Sequence, residues 1–324
     1  MVKIAFHSPQ LDTRGTCVAL YDYAHYNELI LGNKRIVVVD GRNRSLEKAV
    51  TKFTKRFPVF YHSGRDRLHS ILIRESVDVL YAIKSGEWDE IVFEDIKTVV
   101  HCVFELSEPH GAVYAAVSKT LASKYIFLPA GKHPPFVPHM ISLKPGDPSE
   151  NLRRTLGIPE NASVFGRYGG VDTFDIPFVH DAIRWLVTKH KNLWFIFMGA
   201  PHFYLHSRVI YLPQRVESAR KNRFIQTCDA FLECGTMGHS FGLAIGEFSV
   251  NNKPVIAYRG PMLNTAHVDI LGSKALYFTT REEFEDIILH FDRSAMDEDL
   301  NCYRDYRPEK VMEIFSRVFL EEKG

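Results

Sequence analysis

The residues best suited to bind a ligand lie between positions 235 and 247, in the segment Gly-Thr-Met-Gly-His-Ser-Phe-Gly-Leu-Ala-Ile-Gly-Glu. Its glycines allow a ligand to approach the backbone closely. The helix predicted from Phe241 onward presents unpaired N–H groups and a positive dipole end to an anion such as a diphosphate. Glu247, about two turns into that helix, can accept hydrogen bonds from a pair of vicinal hydroxyls. The alternative is an ordinary helix entry with a glutamate on the surface.

A second candidate is Arg167, which follows a strand predicted at Ser163–Phe165 and is flanked by Gly166 and Gly169. Ligands of open α/β sheets bind at the carboxyl ends of the strands. A guanidinium group offers a rigid fork of donors to phosphate oxygens. The flanking glycines favour a phosphate contact for Arg167 over the alternative, a surface salt bridge.

The elements that must position these residues alternate between strand and helix. A strand at Val2–Phe6, a helix at Val18–Leu31 and a strand at Arg35–Val39 form a βαβ unit, and repetition of this unit implies a parallel sheet with helices on both faces. Further strands are predicted at Val59–Tyr61, Val77–Ala82, Glu90–Phe93, Thr98–Val103, Ala112–Val117 and Ile126–Leu128.

The second half of the chain repeats the alternation after a proline-rich stretch from Pro129 to Pro148, which we interpret as an interdomain connection. The helix Ile176–His190 has Pro177 in its first turn and Asp175 as its predicted cap. The other helices are predicted at Glu150–Leu156, Ser218–Thr227, Phe241–Val250, Arg281–Phe291 and Pro308–Glu322. The other strands are predicted at Leu193–Met198, Val209–Tyr211, Ala230–Glu233, Pro254–Ala257 and Ala275–Phe278.

Length and composition agree with two α/β lobes. The chain has 324 residues, of which 45% are hydrophobic and 24% charged, and this excludes a disordered or fibrous protein. We predict a Rossmann-like domain at 1–145, a second one at 146–305, and a final helix at 306–324 that crosses back to the first domain.

The compartment predicted from the sequence is the cytoplasm. Residues 1–6 form a strand-like run rather than a secretory signal, and no apolar run reaches the roughly 18 residues of a membrane span. The five cysteines are scattered and odd in number, so we expect neither disulfides nor zinc.

The charge pattern argues against a nucleic-acid partner, because the formal net charge is only +1. One segment is locally basic. We favour a solvated surface for it, and the alternative is a patch for an anionic acceptor or a membrane surface. Its basic residues are Lys34, Arg35, Arg42, Arg44, Lys48, Lys52, Lys55, Arg56, Arg65 and Arg67.

Several enzyme classes lack their motifs in this sequence. No G-x-G-x-x-G follows the first strand, which argues against a nicotinamide dehydrogenase, and no G-x-x-x-x-G-K-[ST] supports a P-loop enzyme. Asp297-Glu298-Asp299 has the spacing of a metal-binding Asp-x-Asp motif, but it lies in a polar stretch between terminal helices. We interpret it as solvated surface.

The first candidate segment resembles the donor site of retaining glycosyltransferases of family four, whose pattern is Glu-Gly-Phe-Gly-Leu, three variable residues and Glu. Ser240-Phe241-Gly242-Leu243 and Glu247 match this pattern, and His239 stands in the place of the first Glu. The family uses that first Glu to contact the transferred sugar and the second to contact the ribose. The resemblance therefore implies a sugar or phosphate contact for His239 and a ribose contact for Glu247.

The same resemblance assigns roles to residues outside this segment. Arg167 matches the family's arginine on the donor diphosphate, whereas Asp172 and Thr173 occupy the approximate place of its lysine. His101, predicted near the end of a strand facing the cleft, matches a histidine near the reacting sugar or acceptor; the alternative is a hydrogen-bonded core histidine. The other donor-binding residues implied are Gly15 and Thr16, in a turn that offers backbone N–H groups to the donor phosphate, and Gly199.

The resemblance implies a GT-B fold of two facing Rossmann-like, doubly wound parallel-sheet domains. The activity implied is transfer of a sugar from a nucleotide-diphosphate donor to a glycan, glycoprotein, lipid-linked or other hydroxyl acceptor, with retention and with no cofactor or required metal. Two alternatives remain at this point: a nucleotide-sugar epimerase of the same fold, and a non-catalytic protein that binds sugar nucleotides.

Overall fold

The computed structural model of this protein describes residues 1–126, 131–170, 172–214, 217–293 and 299–321. Its contacts divide the chain into two compact units. Unit 1 comprises Met1–Ser142 and Asp305–Gly324, and unit 2 comprises Leu143–Arg304. The boundary at residues 142 and 143 lies within the proline-rich stretch.

Unit 1 contains a six-stranded parallel sheet in the order β3-β2-β1-β4-β5-β6. Its strands are β1 (Lys3–Ser8), β2 (Lys34–Asp40), β3 (Val59–His62), β4 (Val79–Lys84), β5 (Lys97–Cys102) and β6 (Val113–Ala116). Its first helices are α1 (Gly15–Leu29), α2 (Glu47–Thr54), α3 (Arg65–Arg74) and α4 (Lys119–Ser123). Consecutive residues of β2 such as Val37 and Val38 are both fully buried, as expected for a parallel sheet covered on both faces.

Unit 2 contains a second six-stranded parallel sheet, in the order β14-β12-β10-β7-β8-β9, and a short parallel ribbon of β11 and β13. The strands are β7 (Ser163–Tyr168), β8 (Leu193–Met198), β9 (Val209–Leu212), β10 (Ala230–Glu233), β11 (Gly238–His239), β12 (Val255–Tyr258), β13 (Asn264–Thr265) and β14 (Leu276–Phe278). The helices are α5 (Arg153–Leu156), α6 (Pro177–Lys189), α7 (Ser218–Thr227), α8 (Leu243–Val250), α9 (Ala266–Leu271) and α10 (Arg281–Leu289).

Both sheets have the strand order of a doubly wound α/β fold, in which the first strand of the unit lies at the centre. The predicted α/β class is therefore confirmed. In such sheets the chain reverses its direction of growth between two central strands, and ligands bind beyond the carboxyl ends at that point. This point lies between β1 and β4 in unit 1 and between β7 and β10 in unit 2.

The chain returns to unit 1 with α11 (Pro308–Phe315), followed by a π-helical segment at Ser316–Leu320. Phe315 packs against the rings of Phe6, Tyr23 and Tyr81, and Phe319 packs against His101. These contacts bury an aromatic cluster between the last helix and the sheet of unit 1. Residue 322, at the end of the predicted helix, lies outside the described residues.

The strand predicted at Glu90–Phe93 is wrong. Glu90 has φ = 63°, which interrupts an extended backbone, and the amide of Ile91 binds the carboxylate of Asp89 at 3.1 Å. Ile91 and Phe93 are nevertheless buried in the core formed with α3. The apolar character of this segment thus comes from burial of a loop rather than from strand pairing.

Other predicted boundaries also differ from the structure. The helix predicted from Glu150 is limited to α5, and the one predicted from Phe241 begins at Leu243. Helices α2, α3, α4 and α9 were not predicted. Three predictions fall on residues outside the described ranges. They are the end of the strand at Ile126–Leu128, the start of the proline-rich stretch at Pro129, and the Asp297-Glu298 pair.

The locally basic segment contains α2 and α3. Arg35 and Arg56 form ion pairs with Glu28, and Arg42 forms one with Asp40. Other basic side chains of the segment are exposed, namely Lys34, Arg44, Lys48, Lys55 and Arg67. An anionic partner for this surface stays a prediction. Among the described helices, none is both long and apolar enough to span a bilayer.

Candidate functional site

Arg167 lies near the carboxyl end of β7, beside β10, where ligands of such sheets bind. Its side chain is nearly inaccessible, with 1% of the residue exposed. One terminal nitrogen, Nη2, donates to the carbonyl oxygen of Thr173 at 2.7 Å and also to its hydroxyl. Nε and Nη1 are buried without a hydrogen-bond partner among the residues that the structure describes. Buried donors of this kind are rare in proteins, and an anionic ligand would satisfy them.

The loop after β7 holds the guanidinium group of Arg167 in place. The hydroxyl of Thr173 donates to the carbonyl of Gly170 at 2.9 Å, and the ring of Phe174 lies 5.4 Å from the guanidinium carbon. Burial lowers the pKa of Arg167, and the nearby Glu233 opposes this shift. Arginine stays protonated under such conditions, so Arg167 is a fixed cation.

The glycine turn after β10 packs closely against this loop. A Cβ atom on Gly235 would lie 2.9 Å from the carbonyl oxygen of Thr173 and 3.0 Å from Oε1 of Glu233. Asp175 binds the amide of Thr236 at 2.9 Å and its hydroxyl at 2.6 Å. The prediction that Asp175 caps α6 is therefore wrong: Ile176 precedes that helix, and Asp175 fixes the glycine turn.

The N-terminus of α8 is anchored by Phe241 and Gly242. Phe241 is buried, and its carbonyl accepts a hydrogen bond from the hydroxyl of Tyr303 at 2.8 Å. Gly242 has φ = 90°, a conformation that favours glycine and that stops the helix from starting earlier. The start predicted at Phe241 is therefore two residues early. Phe241 packs in the core, whereas His239 and Ser240 are half-buried and Leu243 opens the helix.

His239 is held in the ribbon of β11 and β13, where it pairs with Thr265. This pairing brings His267 next to it: the two imidazole rings are 5.4 Å apart at 86°. His267 is fully buried, and burial together with the neighbouring His239 lowers its pKa to about 4. The sequence analysis missed His267, because nothing in the local pattern shows that residues 239 and 267 meet.

Glu233 ends β10 and is the second residue that the sequence analysis missed. It is 2% exposed, and its Oε2 lies 2.9 Å from Nε2 of His239, at ion-pair distance although not aligned as a hydrogen bond. Burial alone would raise the pKa of Glu233, but His239, Arg167 and His267 outweigh it and lower the pKa to about 2. The signal available in the sequence was a glutamate as the last residue of an otherwise apolar strand.

Glu247 belongs to a neighbouring cluster rather than to the contacts of Arg167. Its two carboxylate oxygens accept from Nζ of Lys221 at 2.6 and 2.9 Å, and the hydroxyl of Tyr168 also donates to it. Tyr168 follows Arg167 in β7, so the two side chains point to opposite faces of the sheet. Three of the roughly four acceptor positions of this carboxylate are thus occupied. Lys221 was not predicted as a partner.

A cavity of about 460 Å³ lies beyond the carboxyl ends of β8 and β9, on the same edge of the sheet as Arg167. The rings of His202 and Tyr211 stack within it at 4.1 Å and 26°. Gly199, predicted to bind the donor, is one of its wall residues. The cavity is lined by Gly199, Ala200, Pro201, His202, Tyr211, Leu212, Pro213 and Gln214.

Gly15 and Thr16 form the first turn of α1 in unit 1, after the carboxyl end of β1. Gly15 is exposed and Thr16 half-buried. The residue before the helix is Arg14, and its side chain makes no capping hydrogen bond in the described part of the chain. A contact of Gly15 and Thr16 with a donor phosphate stays a prediction.

His101 lies in β5 and is completely buried. Its Nε2 donates to the carbonyl oxygen of Val137 at 2.8 Å, and its Nδ1 accepts from the hydroxyl of Tyr81 at 2.6 Å. Burial lowers the pKa of His101 to about 3, so the ring is neutral. This placement matches the core histidine of the alternative interpretation, and a contact with the sugar or acceptor stays a prediction.

No group of three or more histidine, cysteine, aspartate or glutamate side chains in the described ranges is placed to hold a metal ion. Asp299, from the sequence that resembled an Asp-x-Asp motif, is exposed and pairs with Arg304 and Lys274.

The fold is similar to that of solved glycosyltransferases. HepE of Anabaena, solved with UDP and glucose, has a TM-score of 0.69 at 16% identity, and the match covers 98% of both chains. A glycosyltransferase from Rickettsia africae has a TM-score of 0.70 at 12% identity over 99% of both chains. WaaG, a glycosyltransferase involved in lipopolysaccharide biosynthesis, has a TM-score of 0.58 at 12% identity over 98% of this chain and 100% of that chain. No protein-family model and no curated protein matches the sequence. The predicted GT-B fold is therefore confirmed: this chain has the architecture of these glycosyltransferases.

Proposed function

We propose that this protein is a glycosyltransferase that moves a sugar from a nucleotide-diphosphate donor to a hydroxyl group of an acceptor. The observation that carries this proposal is Arg167, whose two buried guanidinium nitrogens lack partners within the described ranges. They lie at the edge of the sheet where ligands of doubly wound folds bind. The diphosphate of a sugar nucleotide supplies the charge and the oxygen acceptors that these donors require.

The cavity beyond β8 and β9 suits the base of the donor nucleotide. The stacked rings of His202 and Tyr211 provide an aromatic surface, and flat nucleobases stack well on such surfaces. Because HepE was solved with UDP and glucose, UDP-glucose is the first donor to test.

The proposed mechanism is mainly electrostatic. As the bond between sugar and diphosphate breaks, negative charge develops on the leaving diphosphate, and Arg167 stabilises it together with the first-turn amides of α8. Retention of configuration and independence from metal ions are proposed on the resemblance to family four. The acceptor is proposed to be a glycan, glycoprotein, lipid-linked or other hydroxyl compound. The cytoplasmic location is a proposal as well.

The direct test is calorimetry with UDP and UDP-glucose, combined with UDP release in the presence of candidate acceptors. We expect UDP to bind, and we expect UDP release to depend on an acceptor. His202→Ala is the matched variant: loss of stacking is expected to weaken UDP binding about tenfold while leaving inorganic pyrophosphate unaffected. Absence of UDP binding would contradict the proposal. Conversion of UDP-glucose without an acceptor would favour the epimerase, and binding without turnover would favour the non-catalytic protein.

Glu247→Ala is expected to affect both stability and donor binding. The substitution leaves the partly buried ammonium of Lys221 and the buried hydroxyl of Tyr168 without their acceptor. Loss of a partner from a buried ion pair lowers the free energy of unfolding by about 3 kcal/mol or more. If the carboxylate also binds the ribose, UDP affinity falls while pyrophosphate affinity does not. Urea unfolding and calorimetry measure the two effects.

Lys221→Ala is the control for Glu247→Ala, because it breaks the same ion pair but keeps the carboxylate. We expect it to destabilise the protein by a similar amount and to leave UDP affinity within about twofold, since the freed carboxylate remains available to ribose hydroxyls. Equal UDP affinities in the two variants would show that Glu247 serves stability alone.

A further inference from the structure

Two loops of unit 1 follow the carboxyl ends of β4 and β5; we call residues 85–90 and 103–111 the Trp88 loops. The first loop leaves β4, beside the point between β1 and β4 where ligands of a doubly wound sheet bind. Trp88 is 54% exposed on the first loop, and Phe104 is 55% exposed on the second. The Trp88 loops therefore present aromatic surface to solvent at the edge of unit 1 where a ligand is expected.

The Trp88 loops are fixed to each other through their backbones. The carbonyl oxygen of Ser85 accepts hydrogen bonds from the amides of Phe104 and Glu105, both at 3.1 Å. A Cβ atom on Gly86 would lie 1.9 Å from the carbonyl oxygen of Glu105, so only glycine allows the loops to approach this closely. The exposed aromatic rings are thus carried by a backbone with a defined conformation.

The indole of Trp88 is itself held in place. The amide of Trp88 donates to Oε2 of Glu108 at 2.5 Å, and the next residue, Asp89, pairs with Lys84. The ring of His110 packs edge-on against the indole, with the ring centres 5.1 Å apart at 80°. Because the indole is ordered before a ligand arrives, a ligand that stacks on it does not have to immobilise it.

His110 adds an unused hydrogen-bond acceptor next to Trp88. His110 is buried, and burial lowers its pKa, so the ring is neutral at neutral pH. Its Nδ1 donates to the carbonyl oxygen of Glu108, which makes Nε2 an acceptor. Nε2 is buried with no hydrogen-bond partner among the described residues. A ligand hydroxyl that reaches this nitrogen supplies the missing donor.

The charge of the Trp88 loops limits the class of ligand. The two loops contain five acidic residues and no lysine or arginine. This negative charge repels the phosphates of nucleic acids and of anionic membranes, whereas carboxylates accept hydrogen bonds from hydroxyl groups. A neutral ligand with several hydroxyl groups and an apolar face therefore fits both the carboxylates and the indole. The acidic residues are Glu87, Asp89, Glu90, Glu105 and Glu108.

We propose that the Trp88 loops bind a saccharide that stacks on the indole of Trp88, and that this saccharide is the acceptor of the transferred sugar. Its assignment as the acceptor rests on the proposed function. The C–H groups on one face of a pyranose carry partial positive charge and meet the negative face of the aromatic ring. The hydroxyl groups at the rim of the pyranose donate to the carboxylates of the loops. A carbohydrate is thus the class of acceptor that this surface selects.

Saccharide binding is tested with the full chain on an array of neutral and anionic glycans, and in solution by saturation-transfer nuclear magnetic resonance with maltotriose, cellotriose and lactose. We expect a neutral glycan to bind, Trp88→Ala to weaken its binding about three- to tenfold, and Trp88→Phe to keep part of the affinity. Failure of all neutral glycans to bind would overturn the inference.

Trp185→Ala is the matched control for Trp88→Ala. Trp185 is also an exposed tryptophan that packs edge-on against a histidine, but it lies on α6 of unit 2. We expect this variant to bind glycans as the parent protein does. An equal loss of glycan affinity in Trp88→Ala and Trp185→Ala would overturn the inference.

Two other occupants of the Trp88 loops are distinguished by further measurements. Carboxylates around an indole also attract cations, so tetramethylammonium is tested as a competitor. Glycan binding is expected to change little with salt, whereas binding of a cation weakens. A glycan signal at Trp88 that falls with salt as tetramethylammonium binding does, or a dimer in sedimentation that Trp88→Ala dissociates, would overturn the inference.

The acceptor role is tested by initial rates with UDP-glucose and a glycan that binds. Trp88→Ala is expected to raise KM for the glycan about three- to tenfold and to leave kcat and UDP affinity unchanged, because stacking acts equally on the bound acceptor and the transition state. An unchanged KM, or a parallel fall in UDP affinity, would overturn the inference. UDP binding without glycan binding would contradict this inference alone, and glycan binding without UDP binding would contradict the proposed function.

Discussion

Replacement of Arg167 by alanine is expected to lower kcat/KM with a nucleotide-sugar donor by about 100-fold to 1000-fold, the range for loss of a group that stabilises developing negative charge. The guanidinium group is fixed by Thr173 and still carries two buried, unpartnered nitrogens among the described residues. These nitrogens gain their acceptors when an anion binds, so their contribution appears in ligand binding and turnover. Initial rates and UDP affinity measure the loss.

Two control variants show which property of Arg167 matters. Arg167→Lys keeps the positive charge but lacks the rigid fork, so we expect it to recover only part of the activity. Thr173→Val keeps the arginine but removes a hydroxyl that holds it, and we expect a loss of about tenfold, as for one charge-assisted hydrogen bond. Wild-type kinetics in Arg167→Ala, with the fold intact, would remove Arg167 from the site.

The sequence predicted the fold well because the strands of a parallel sheet are buried on both faces. Runs such as Val37–Val39 and Leu193–Met198 are apolar throughout and are separated by helical segments of ordinary length. Alternation of buried strands with helices predicts a doubly wound topology whatever the particular side chains are. The strand prediction fails at Glu90–Phe93, because an apolar loop packed under a helix has the same composition as a strand.

The candidate site was only partly predictable, because it depends on contacts between distant parts of the chain. Arg167 and His239 follow from local glycine patterns, whereas His267 reaches the site only through the pairing of β11 with β13. Lys221 reaches Glu247 from α7, which a local pattern does not reveal. For His101 the local sequence is the same whether the ring binds a ligand or packs in the core. Only its burial in the folded unit distinguishes these two roles.

Unit 1 is expected to lose stability steeply as the pH falls below about 6.5, the ordinary pKa of an imidazole. Burial lowers the pKa of His7 and of His101 to about 3, and burial together with His101 places the pKa of His139 well below its ordinary value. The unfolded chain binds protons at these residues below about pH 6.5, whereas the folded unit does not. Their contribution to stability is therefore complete above that pH and is lost as the pH falls toward 3.

The magnitude follows from the number of linked protons. Each such histidine reduces the free energy of unfolding by about 1.4 kcal/mol per pH unit in this range, so three of them reduce it by about 4 kcal/mol per unit. Since domains are stable by only about 5–15 kcal/mol, unit 1 is expected to unfold between about pH 3 and pH 5. Urea titrations followed by circular dichroism at a series of pH values measure the slope.

His101→Gln is the matched variant for this acid sensitivity, because its amide offers a donor and an acceptor for the Val137 carbonyl and the Tyr81 hydroxyl but does not titrate. We expect its slope of stability against pH to be smaller by about one proton, whatever its stability at neutral pH. Hydrogen exchange pulses locate the loss, and peptides of unit 1 should lose protection before those of unit 2, where His267 is the buried neutral imidazole of the candidate site. A stability that stays level from pH 7 to pH 5, or a slope that His101→Gln leaves unchanged, would show that these rings accept protons within the folded unit.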